Sequence, residues 1–127
     1  MRIQDYDSVC DVTRPADIEA ALSKRHGGGI NSFWLSHGAE RYPAINIMVR
    51  GGLASVHYLP KDRDAGFVSV AKVPGPRPDE TSTFFVGPTE KIWVRNGELV
   101  PFSDALKVAQ EFATSATMPR CIQWFEL

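Results

Sequence analysis

Only two cysteines occur in the chain, Cys10 and Cys121, too few for a disulfide framework and without the paired spacing of a zinc site. Both read as reduced, buried, small apolar side chains. No run reaches the roughly 18 apolar residues of a membrane span, and the opening MRIQDYDSVCDV has acids where a secretion signal keeps an apolar stretch. A cytoplasmic protein without a membrane partner is the expectation. An excess of charge is missing as well: 14 Lys and Arg against 15 Asp and Glu leave a formal charge of -1, which gives no general attraction to nucleic acid. H-E-x-x-H, a C-x-x-C with H-x-E, G-K-[ST] and G-x-S-x-G are all absent, so the motifs of zincins, zinc deaminases, phosphate loops and α/β hydrolases are not encoded. No cofactor or metal is expected.

What remains is an ordinary globular composition, 43% hydrophobic and 23% charged over 127 residues, enough to bury a core without a covalent or metal staple. Residues 1–127 read as one domain, with no repeat or linker. TRPADIEAALSKRHGGG predicts a helix, with Thr13 or Arg14 at the cap, Pro15 in the first turn, and Gly27 as the residue that stops it. Ile18, Ala21 and Leu22 give it one apolar stripe.

From Ser32 to Phe102 the hydrophobic period becomes that of strands. Ala44 to Arg50 and Leu53 to Leu59 flank Gly51-Gly52 as a tight hairpin, FVSVAK pairs back on the preceding strand, and TSTFFVG begins another run. In KIWVRNGELVPF, Asn96-Gly97 predicts a two-residue type I′ hairpin. Ser103 is then the cap of a second helix bearing Ala105, Leu106, Ala109, Phe112 and Ala113 on one face, ended by Pro119. CIQWFEL closes the chain as a strand laid into the sheet. The fold class is α+β: a mainly antiparallel meander of hairpins with an early and a late helix packed on it.

The three histidines offer little chemistry. Ser36 and His37 are strand neighbours and point to opposite faces, so they form no activated nucleophile; His37 reads as a solvated strand end, and His57 as outward-facing. HGGG at 26–29 follows a helix instead of preceding one, which makes it a helix stop. KDRDAG lacks the ligands of a calcium loop and reads as a hairpin tip. In a simple meander, loops bearing Glu40, Asp62 with Asp64, and Glu90 emerge at one end, forming a charged rim. Trp34 and Trp93 read as core. Trp124 lies in a strand with no purely polar face, which points to cover on both sides, by the protein or by a partner.

INIMVRGGLASVHYLPKDRDAGFVSV, SDALKVAQEFATSATMPR and CIQWFEL together resemble the first-described immunity-protein family of bacterial polymorphic toxin systems, over roughly Ser32 to Leu127. The closing Trp-x-Glu-Leu after Pro-x-Cys and the HYLPK hairpin edge are the more specific parts. The resemblance implies a small cytoplasmic protein, monomer or weak homodimer, that binds and silences a cognate protein toxin, among them nucleic-acid deaminases and nucleases. It implies no catalytic residue, no cofactor and no direct contact with nucleic acid. Contact candidates on this reading are Glu40, Tyr42, Asp62, Asp64, Glu90 and Trp124. The competing reading is an adaptor or small-molecule-binding regulatory domain that binds in a cavity between helix and sheet.

Overall fold

The computed structural model describes residues 1–73 and 75–127. In chain order the elements are β1 (Arg2–Gln4), β2 (Val9–Asp11), α1 (Pro15–Leu22), β3 (Ile30–Ser36), β4 (Ala44–Arg50), β5 (Leu53–Leu59) and β6 (Phe67–Ser69). There follow β7 (Thr81–Phe85), β8 (Lys91–Arg95), β9 (Leu99–Pro101), α2 (Phe102–Ser115) and β10 (Trp124–Glu126). The α+β class holds, with an antiparallel sheet in the order β10-β6-β5-β4-β3-β1-β2 and β9 also paired to β5.

Alternation sets the two faces of this sheet. Ile3, Phe33, Leu35, Ile45, Ile47, Val49, Val56 and Tyr58 point to one side, where α1 supplies Ile18 and Leu22 and α2 supplies Ala105, Val108, Ala109 and Phe112. The α2 stripe is as its spacing predicts, and this layer is the main core. On the other side β7 and β8 form a two-stranded sheet of their own, seated by Phe84 and Val94 on Met48 of β4. A lone hairpin is marginal in water; this one is held by that small core, by Arg50 Nη1 donating to the Thr83 carbonyl at 2.7 Å and by the Tyr6 hydroxyl donating to the Phe85 carbonyl at 3.1 Å.

The β4–β5 hairpin forms in the expected register, Arg50 opposite Leu53, with Gly51 at φ 59°. β6 pairs back on β5 as expected. Asn96-Gly97 does not make the expected type I′ turn: residues Asn96–Glu98 form a 3₁₀ turn that passes the chain from β8 to the main sheet. The reason is competition between partners. β8 pairs with β7, Gly97 N–H donates to the Pro78 carbonyl at 2.9 Å, and β9 pairs with β5, which buries Val100 in the main core. Burying one such side chain is worth about 1.5–3 kcal/mol, more than a favourable turn dipeptide supplies.

Smaller corrections follow the same logic. MRIQ and VCD pair as β1 and β2 although no strand is expected there, because Ile3 fills the core beside Leu35. α1 ends at Leu22 with Ser23 as its cap, and Gly28 and Gly29, not Gly27, take positive φ. α2 begins at Phe102 with Pro101 in the cap position, so Ser103 lies inside the first turn. Cys10 is exposed on the short β2 strand and Cys121 is half-buried, so neither is the buried thiol expected. Of CIQWFEL, Trp124–Glu126 is strand, antiparallel to β6, while residues 121–123 form the approach to it.

Two observations explain how β5 serves two partners along one edge. Leu53, Ala54 and Ser55 face β9, and His57 and Tyr58 face β6. At the junction the buried Ser69 hydroxyl accepts from Val56 N–H at 3.0 Å and donates to the Glu98 carbonyl at 2.6 Å. One side chain thus completes the ladder where the two short strands meet.

Candidate functional site

The second face of the sheet is only half covered by the β7–β8 hairpin. Beyond it lies a recess of about 470 Å³ lined by Arg2 and Gln4 of β1, Trp34, Leu35 and Ser36 of β3, Arg41 and Tyr42 of the β3–β4 loop, and Ala44 of β4. Trp34 is 47% exposed in the middle of a strand paired on both sides, opposite Gln4 and Asn46. Its backbone is therefore rigid while its ring is free. The buried Asn46 opposite it on β4 is satisfied internally, its Nδ2 donating to Ser32 Oγ at 3.2 Å and to the Phe33 carbonyl at 3.0 Å. At the rim, Arg41 Cζ lies 6.0 Å from the centre of the Tyr42 ring.

Tyr42 is the one sequence candidate that lines this recess. Glu40 is exposed in the same loop, and the loop of residues 60–66, with exposed Asp62, adjoins it because Ala44 pairs with Leu59. Asp64 is partly committed to its own turn, Oδ1 accepting from Gly66 N–H at 2.8 Å. Glu90 does not join them: it sits in the connection of the β7–β8 hairpin, outside the main meander. Trp124 is half-buried and braces the terminal strand, its Nε1 donating to the Pro119 carbonyl at 2.7 Å and its ring 6.2 Å from Tyr58.

Trp34 and Trp93 are not core residues, in contrast to expectation; Trp93 is 67% exposed on the outer face of β8. Arg2 and Gln4 escape sequence reasoning because β1 is too short to show a period, and Arg41 because it lies in the β3–β4 loop, where no period exists. A signal for Trp34 was present in the alternation of Ser32, Trp34 and Ser36 against Phe33 and Leu35.

The histidines lie apart. His37 is half-buried, not solvated, with its ring against Phe112 and Nε2 2.7 Å from the Phe112 carbonyl. His57 Nε2 is 2.8 Å from the Ala65 carbonyl, which braces the 60–66 loop. His26 stacks on Tyr6 and approaches Asp5 to 3.6 Å.

Asp5, Asp7 and His26 place three potential ligand atoms within 4.8 Å of one another. The cation there is already supplied by Lys24, whose Nζ is 2.8 Å from Asp7 and 3.4 Å from Asp5. Burial alone would raise the Asp5 carboxyl. Hydrogen bonds from Ser8 and Asn31 side chains and from Asp7 and Ser8 N–H outweigh it and hold the group well below the usual carboxylate range. Lys24 is raised through its hydrogen bond to Asp7. This knot ties β1, α1 and β3 together.

Among the described residues no helix is long and apolar enough to cross a membrane. These features define a small α+β protein whose sheet is sealed by helices on one face and offers an aromatic and cationic recess on the other. The chain belongs to the immunity protein family Imm1, whose family model matches residues 7–126. No protein with a curated description matches it.

Proposed function

We propose that the chain, residues 1–127 acting as one domain, is the immunity partner of a toxin made by the same cell and neutralises it in the cytoplasm by binding, without turnover. Membership of an immunity protein family supports this reading, and the observation that carries it is Trp34, held free on a rigid central strand beside Arg2, Arg41 and Tyr42. Trp, Tyr and Arg are the residues that dominate protein interfaces energetically, and preformed backbone lowers the entropy cost of docking. A blocking surface of about 800 Å² per partner is sufficient.

The toxin is a nucleic-acid deaminase or nuclease with a basic substrate groove. Asp62 and Asp64, next to the recess rim, steer encounter with that groove, an effect read in association rate and its salt dependence. The adaptor reading needs a cavity between helices and sheet, whereas the recess lies on the face opposite the helices.

Co-expression tests the proposal: the toxin encoded beside this gene arrests growth alone, and this chain restores growth and co-purifies with it. Continued arrest with every adjacent toxin, despite soluble immunity chain, refutes it.

A further inference from the structure

We propose that the Trp34 recess receives a carboxylate-bearing segment of the toxin, an acidic loop with an apolar or aromatic neighbour, so that the tight contact has the opposite polarity to the Asp62–Asp64 rim. The inference rests on the immunity reading above and names the chemistry of the partner at this site.

The charge pattern of the recess carries it. Arg2 and Arg41 both line the cavity, and none of the other lining residues is Asp or Glu. Among the described residues neither arginine makes a salt bridge; several other basic residues, such as Lys61 and Lys107, also make none, but Arg2 and Arg41 alone of the basic residues line this recess. Two guanidinium groups at one cavity, each with a planar fork of donors suited to carboxylate, call for an anionic occupant. In the same lining the Trp34 ring offers an apolar platform, and Gln4 and Ser36 add neutral polar groups. An acid next to an apolar side chain satisfies all of these together.

The same geometry favours a protein segment over a free phosphate or nucleotide. Phosphate sites gather backbone N–H groups at a helix start or in a nest. Here three sides of the recess are strands β1, β3 and β4, whose backbones are paired with one another. Apart from the short Arg41–Tyr42 loop, side chains are left to recognise the occupant, as in a protein interface with arginine and tryptophan anchors.

The test uses the purified full chain and the catalytically inactivated toxin encoded beside it. Dissociation constants and rates are measured by biolayer interferometry at low and physiological salt for wild type, Trp34→Ala, Arg2→Glu with Arg41→Glu, Arg2→Lys with Arg41→Lys, and Asp62→Lys with Asp64→Lys. Circular dichroism and melting confirm that each variant is folded; Trp34→Phe replaces Trp34→Ala if the latter is not. Charge reversal at the two arginines is expected to weaken binding at least 100-fold, mostly through faster dissociation, with the lysine pair losing about tenfold. Trp34→Ala is expected to lose at least 30-fold, and the Asp62/Asp64 variant to change association alone. Wild-type binding that survives charge reversal within threefold overturns the acidic-segment inference and leaves the immunity reading standing. Absence of wild-type binding to any adjacent toxin overturns both. A further arm titrates inorganic phosphate and AMP: no competition at 10-fold excess over toxin is expected, and displacement of the toxin through these arginines by either probe assigns the recess to a small anion and overturns the proposal.

Discussion

The attachment of the β7–β8 hairpin makes a quantitative prediction about Phe84→Ala. Phe84 is 1% exposed and packs with Val94 on Met48, so removing its ring forfeits about 3–5 kcal/mol of burial and packing. What would remain to hold the hairpin is Val94 and the two part-exposed hydrogen bonds from Arg50 and Tyr6, each worth about 1 kcal/mol, besides the backbone bonds of Asn96 to Glu80 and of Gly97 to Pro78 at its base. These remaining anchors must offset the entropy of ordering the whole hairpin, about 1–2 kcal/mol for each residue fixed, and an isolated two-stranded hairpin is marginal at best in water. The hairpin is therefore expected to open while the helix-backed sheet stays folded, its loss capped at the free energy that had kept the hairpin closed. Amide hydrogen exchange under native conditions reads this residue by residue. Amides of Thr81–Arg95 should lose nearly all protection, and those of Ile45–Val49 and Val56–Tyr58 should retain most of theirs. Equal protection of hairpin and sheet in the folded variant would refute the reasoning, since it would place Phe84 in one cooperative unit with the main core.

Three further outcomes test other parts of the fold. Ser69→Ala leaves Val56 N–H and the Glu98 carbonyl without their buried partner and should lower unfolding free energy by about 1–3 kcal/mol in urea titration. Deleting residues 121–127 removes Ile122 from the core together with the β10 pairing to β6, and the truncated chain should lack a cooperative thermal transition. Asp5 has a depressed carboxyl in the folded state, so its contribution is complete above the unfolded value of about 4 and disappears as pH falls through the folded one. Stability of the wild type should therefore drop below about pH 4 more steeply than that of Asp5→Asn, whose loss is already present at pH 7; parallel stability curves from pH 2 to 7 would contradict this.

Much of this architecture was legible because local and tertiary preferences agree. The alternation of Ile45, Ile47 and Val49, the Gly51-Gly52 turn and the helical stripe through Ala105, Ala109 and Phe112 all follow patterns that packing reinforces. Asn96-Gly97 was misleading because its local preference was overridden by a distant pairing, Val100 beside Ala54. β1 and β2, three residues each, are too short to carry a period. The site was less legible than the fold. Tyr42 and its charged neighbours lie in loops that composition flags, but Arg2 meets Trp34 only after β1 pairs beside β3. A tryptophan in a strand is assigned to the core by hydrophobicity alone, and only knowing which face the helices cover sends Trp34 outward.

The alternation of β3 divides labour between neighbouring residues: Phe33 and Leu35 belong to the layer under the helices, while Trp34 and Ser36 belong to the open recess. On the function proposed above, substitutions at positions 2, 4, 34, 36, 41 and 42 would change what the recess recognises with little toll on folding. On that reading, such separation would let specificity drift alongside a changing adversary at the pace of single exchanges, with no compensating repair needed in the interior.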